Sequence, residues 1–162
     1  MHSKKILIPL DGSMLAEAAI AKALEVAGPD DTLILLRAAE VHALPGVDPT
    51  DAQVAIVREA EEYLALMAKR LGEKGFPRVE TSVWYGPAAP TIVEAARLRK
   101  VNLIVMSTHG RSGIGRLILG SVAESVLRGT LTPILLLRVP GAPVETPKGA
   151  GVVRPSKEAA HV

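Results

Sequence analysis

The stretch Val101-Asn-Leu-Ile-Val-Met-Ser-Thr-His-Gly-Arg-Ser-Gly-Ile-Gly-Arg-Leu-Ile-Leu-Gly-Ser-Val-Ala-Glu-Ser-Val-Leu-Arg-Gly129 decides how this chain folds. Its apolar run Leu103-Ile-Val-Met106 reads as a buried strand that stops abruptly at small polar residues. A loop rich in glycine and arginine follows, with Gly110, Arg111, Gly113, Gly115 and Arg116. Gly120-Ser121 then opens an apolar-periodic segment, Val122 to Leu127, which Gly129 closes. A strand, a glycine-rich loop and a helix N-terminus in succession leave several backbone N–H groups unpaired and aimed at one point. Such a point attracts anions, phosphate above all.

Upstream, Lys4-Lys-Ile-Leu-Ile-Pro-Leu10 is a short apolar run ended by Asp11-Gly12-Ser13, a buried strand with Ser13 placed to cap the next helix. That helix is alanine-rich, and Gly28-Pro29 stops it. Thr32 to Ala38 is apolar without alternation, as strands buried on both faces are. A long helix runs from about Pro49 or Asp51 to Leu71, with Val57, Ala60, Leu64, Met67 and Leu71 on one stripe and Thr50 with Gln53 as a capping box. Val79 to Trp84 alternates as a third strand, and Gly86-Pro87 turns into a helix carrying Ile92, Val93, Ala95, Ala96 and Leu98. Pro133 to Arg138 is the fifth strand. Regular alternation of β and α elements argues for an α/β fold, an open parallel sheet with helices on both faces. This domain spans residues 1–140. Four prolines, three glycines and no aromatic residue after Val139 predict a disordered tail over 141–162.

At 162 residues and 48% hydrophobic the chain holds one core. Its 19 basic and 17 acidic side chains are interspersed, and aromatics at 2% leave little to stack on bases, which argues against a nucleic-acid partner. With no cysteine, disulfides and thiolate chemistry are excluded. No stretch approaches the length of a membrane span or a signal-peptide core, so no membrane partner and a cytoplasmic location are expected.

In an open parallel sheet, ligands sit outside the carboxyl ends of the strands where the winding reverses. The first strand ends in Pro9-Leu10-Asp11-Gly12-Ser13 and the fourth in Ser107-Thr108-His109-Gly110, both rich in small and hydrogen-bonding residues. If these strands are neighbours, Asp11 can accept from a hydroxyl or amine while the glycine loop holds phosphates.

These residues resemble a known family. Gly110, nine residues, then Gly120-Ser121 is similar to the ATP-binding signature of the universal stress proteins, Gly-x2-Gly-x9-Gly-Ser/Thr. The opening Lys5 to Ser13 resembles that family's first strand and turn, and Gly129 to Leu137 its last strand. The resemblance covers residues 3 to 139. It implies sheet order 3-2-1-4-5, an adenine-nucleotide alpha hydrolase-like fold, ATP in the cleft and commonly a homodimer. Carried over by position, it implies that Pro9, Leu10, Asp11 and Ala38 border the adenosine. Met106, Ser107, His109, Gly110 and Arg111 then approach the ribose and first phosphates, and Gly120, Ser121 and Val122 bind the phosphate chain. One departure is Ser107, which stands where the signature has its first glycine and narrows the room beside the ligand.

Simpler readings stand beside these. Gly120-Ser121-Val-Ala-Glu124 is also a capping box. Arg111 and Arg116 either neutralise phosphate or lie solvated, Asp11 also reads as a turn former, and His109 as a hydrogen-bonding or packing group. Glu61-Glu62 and Asp30-Asp31 read as solvated charges, and the scattered His2, His42 and His161 give no metal cluster. No Gly-Lys-Ser/Thr follows the loop, so a P-loop ATPase is excluded. The leading reading is an ATP-binding sensor or adaptor in stress adaptation with little or no hydrolysis. The alternatives are a slow Mg²⁺-dependent ATPase, with Asp11 for metal and His109 as base, and a dimeric interaction module with a vestigial nucleotide site. The apolar Ile134 to Leu137 at a sheet edge predicts a homodimer through residues 133–139.

Overall fold

The computed structural model describes residues 3–40, 46, 48–108 and 119–138. The chain runs β1 (Lys5–Pro9), α1 (Met14–Val26), β2 (Thr32–Ala39), α2 (Pro49–Glu73), β3 (Val79–Tyr85), α3 (Ala88–Leu98), β4 (Leu103–Ser107), α4 (Ser121–Gly129) and β5 (Ile134–Leu137). The five strands form one sheet in the order β3-β2-β1-β4-β5, and every paired neighbour is parallel. The order implied by the resemblance is therefore the order observed. The tail expected over 141–162 lies outside the described residues.

Why the strands read as unbroken apolar runs is visible in the packing. Ile6, Ile8, Leu33, Leu35 and Val105 turn to one face, against Ala16, Ala19 and Ala23 of α1 and Leu64, Met67 and Leu71 of α2. Leu7, Ile34, Leu36, Ile104 and Met106 turn to the other, against Ile92, Ala95 and Ala96 of α3 and Ala123 and Val126 of α4. Both sets are buried, so alternation in space leaves no alternation in polarity. The alanines of α1 bring that helix close to the sheet, while the α2 stripe supplies the larger side chains.

One helix start and one surface carboxylate depart from expectation. Helix α2 is capped by Asp48, whose carboxylate accepts from the Thr50 and Asp51 amides at 2.7 and 3.4 Å; no Thr50–Gln53 capping box forms. The reason is Pro49: its missing N–H and fixed φ suit the first helical position, which makes the preceding residue the cap. Asp31, though at the surface, is also tied to the backbone. Its carboxylate accepts from the Gly28 and Lys4 amides at 2.8 and 2.7 Å, tying the end of α1 to the start of β1.

Candidate functional site

The sheet opens between β1 and β4. Their pairing comprises Ile6↔Leu103 and Leu7↔Ile104, whereas β1 follows β2 as far as Pro9↔Leu36. The Lys5 carbonyl accepts from Asn102 on the β4 side and the Leu10 amide donates to Leu36 on the β2 side. Alternation along the strand therefore turns the ring nitrogen of Pro9 toward β4, so the ladder lacks a donor where the two strands part. This is also where the winding reverses, since β2 and β3 lie on one side of β1 and β4 and β5 on the other.

A cavity of about 390 Å³ occupies this position. Of the residues named from the sequence, Pro9, Leu10, Asp11, Ala38, Met106, Ser107, Gly120, Ser121 and Val122 all line it. His109, Gly110 and Arg111 lie outside the described residues. Also on its wall are Thr108, from the β4 end singled out in the sequence, and Ala16, Leu36, Ala88, Ile92 and Ala123, which the sequence reading missed. Leu36 was accessible to inference, two positions before Ala38 and so on the same face of β2. Ala88 and Ile92 were not, because only the folded chain brings the first turn of α3 against that face.

The two ends of the glycine-rich stretch converge. The Gly120 amide donates to the Thr108 carbonyl at 2.7 Å, and the Thr108 amide donates to Leu137 at 2.8 Å. These bonds fasten the loop base to β5, and they also spend two of the amides expected to face the ligand. Gly120 serves as N-cap of α4 in extended conformation with no side-chain hydrogen bond. Ser121 is thus the first helical residue rather than the cap, and the Ser121–Glu124 capping box does not form. Glu124 instead accepts from Arg128 Nε and Nη2 at 3.1 and 2.9 Å, one turn along. By contrast Ser13 caps α1, accepting from the Ala16 amide at 3.1 Å. The opening N–H groups of α4 at Ser121 and Val122 have no carbonyl of their own helix to bond, and they sit at the cavity wall with the positive end of the helix dipole.

Asp11 supplies the carboxylate on the β1 side. Its Oδ1 accepts from the Ser13 amide at 2.9 Å, which fixes the turn and leaves further acceptor capacity for a ligand. Among the described residues that line the cavity there is no histidine, lysine or arginine. Chemically, the arrangement offers apolar walls, one carboxylate and one helix N-terminus, a set suited to a molecule with a flat apolar part and an anionic end.

The sequence matches the Universal stress protein family over residues 2–138. Universal stress protein MJ0531 of Methanocaldococcus jannaschii is 34% identical over 149 residues, covering 85% of this chain and 83% of that protein. A universal stress protein of Thermus aquaticus is 33% identical over 140 residues, with 83% and 98% covered. Among solved structures, the protein MJ0577 superposes with a TM-score of 0.76 at 27% identity, covering 84% of this chain and 96% of that one. A universal stress protein solved in complex with cAMP has the same fold, with a TM-score of 0.58 at 24% identity over 83% of this chain and 96% of its own. With its sheet order, its switch-point cavity and these matches in agreement, the chain belongs to the universal stress protein family.

Proposed function

We propose that this protein binds ATP in the β1–β4 cavity and acts as a regulatory sensor or adaptor in stress adaptation, with little or no hydrolysis. The observation that carries the reading is the N-terminus of α4, which has no side-chain cap and opens on the same cavity as Asp11. Phosphate oxygens would accept from the Ser121 and Val122 amides and the Ser121 hydroxyl, completing bonds that the helix cannot make for itself. Pro9, Leu36, Ala38, Ala88, Ile92 and Met106 would enclose the nucleoside, and Asp11 would accept from one of its hydroxyl or amine groups. Adenine nucleotides as a class are in keeping with the relative that holds cAMP. When bound, Mg²⁺ would neutralise phosphate charge, and Asp11 is the carboxylate on the cavity wall able to approach it. The lack of a Gly-Lys-Ser/Thr motif after the glycine-rich stretch favours binding over turnover.

The protein is further proposed to be cytoplasmic and to form a homodimer through residues 133–139. Among the described residues no helix is long and apolar enough to cross a membrane. Gly120→Val tests the site. Its φ of −55° and ψ of 146° suit valine, so the fold stays, while the added side chain stands at the helix mouth. Calorimetric titration should show ATP affinity reduced by about tenfold or more, equivalent to roughly 1.4 kcal/mol. Undiminished affinity in this variant refutes the cradle. Multiple turnovers of ATP per minute with Mg²⁺, abolished in His109→Ala, would instead establish the ATPase.

A further inference from the structure

Between the cavity-lining residues Leu36 and Ala38, β2 turns Arg37 to the opposite face of the sheet. Only 13% of this side chain is exposed. Its guanidinium lies over the Tyr63 ring, 5.2 Å from the centroid, and its Nη2 is 3.6 Å from Glu59 Oε1. It also lies against the turn that carries Asp11. A Cβ on Gly12 would fall 2.7 Å from Arg37 Nη1, and Gly12 has a φ of +82°, so glycine lets the turn backbone lie close against the guanidinium where a side chain would be strained.

Tyr63 is itself anchored, donating its hydroxyl to Glu17 Oε1 on α1 at 3.0 Å. Burial first, then that carboxylate, holds the phenol well above its ordinary pKa of 10.0, so the ring stays neutral beneath the cation. Arg37 thereby rests against both a fixed aromatic plane and the backbone of the β1–α1 turn. A planar, weakly hydrated guanidinium suits such a stack, where a lysine ammonium does not.

We propose that Arg37 is a positioning residue for the ligand site: it braces the Asp11-Gly12-Ser13 turn from behind and so fixes the Asp11 carboxylate toward the cavity. The inference rests on the nucleotide reading for its effect on affinity, but the brace itself is a property of the protein without ligand. Removing it leaves a hollow beneath a turn whose internal tie is the Ser13 amide to Asp11 bond. That turn then opens more often while the core is unchanged.

The experiment uses full-length protein with Arg37→Met, which keeps side-chain length and can still pack on Tyr63, and Arg37→Lys, which keeps charge without the planar fork. In the absence of ligand, hydrogen exchange by NMR should show the Ser13 amide exchanging about tenfold faster in both variants, with the β1 and β2 core amides unaltered. Titration with ATP should show affinity about tenfold weaker in Arg37→Met, but changed by less than about twofold when the same substitution is made in Asp11→Ala protein. Unchanged Ser13 exchange, wild-type behaviour of the lysine variant, or equal losses in both backgrounds would each overturn the brace. Failure of wild-type protein to bind ATP at millimolar concentration would overturn the nucleotide reading instead, and Ser13 exchange would still decide the brace.

Discussion

At the scale of single residues, the site was legible where identity alone suffices. Small residues after a strand, an aspartate before a glycine and a glycine before a helix each imply a backbone geometry, and Asp11, Ser107 and Gly120 line the cavity accordingly. Residues whose role depends on a distant partner were silent. Nothing in the sequence near Arg37 points to Tyr63 or Gly12, and Asp31 reads as one more surface charge until Lys4 is folded against it. Asp31 also makes a quantitative point about pH. Two backbone N–H groups, Gly28 foremost and then Lys4, hold its carboxyl below the ordinary 3.8. Because the folded value lies below the unfolded one, the ionised group stabilises the protein above the unfolded value, and that contribution is lost as pH falls through the folded value. Asp31→Asn should therefore be less stable than wild type at neutral pH, with the difference shrinking below pH 4 (about the unfolded carboxyl value). Urea unfolding across that range measures it, and a difference independent of pH would remove the carboxylate from the explanation.

Elements show a different pattern, in which existence was readable and termini were not. Strands β1, β2 and β4 were apolar runs because both of their faces are buried, β3 alternated as a half-exposed edge strand, and α1, α2 and α4 were bounded by glycine or proline. Ser13 caps α1 as expected, whereas the expected caps of α2 and α4 do not form, because several residues near one boundary compete for the role. Pro49 decides for Asp48 over Thr50, and an extended Gly120 decides against Ser121. For α4 this has a functional consequence, since a helix that caps itself has fewer N–H groups to offer. Gly120→Ser would place an oxygen where it can accept from the first turn, in a backbone conformation that serine adopts freely. The variant should melt higher, by a few tenths of a kcal/mol in unfolding free energy, and bind ATP more weakly. Opposite movements of thermal stability and affinity are the signature; a gain in both would mean that ligand does not use these amides.

For the whole molecule the open question is how the sheet ends. Strand β5 is short, and all four of its apolar residues are only half-buried, although Leu135 and Leu137 pack toward α1 and α2 and Ile134 and Leu136 toward α3 and α4. Just before it, Leu131 is fully exposed. The carbonyls of Pro133 and Leu137 accept from Ile104 and Thr108 of the β4 side, so the odd residues of β5 point their backbone groups inward. Ile134 and Leu136 consequently direct N–H and C=O groups away from β4, a template for pairing with another strand. If a second copy supplies that strand, as proposed, the same edge meets itself across a twofold axis. Leu136→Pro separates this from simple surface hydrophobicity. Proline at that position removes an outward N–H and leaves the inward bonds of Leu137 and Pro133 in place. Sedimentation or light scattering at micromolar concentration should then find wild type dimeric and the variant monomeric, with circular dichroism unchanged. A monomeric wild type removes the homodimer outright. A dimeric variant moves the interface off the β5 backbone, and because the Thr108 amide donates to Leu137 on that strand, it would also uncouple assembly from the β4 end of the cavity.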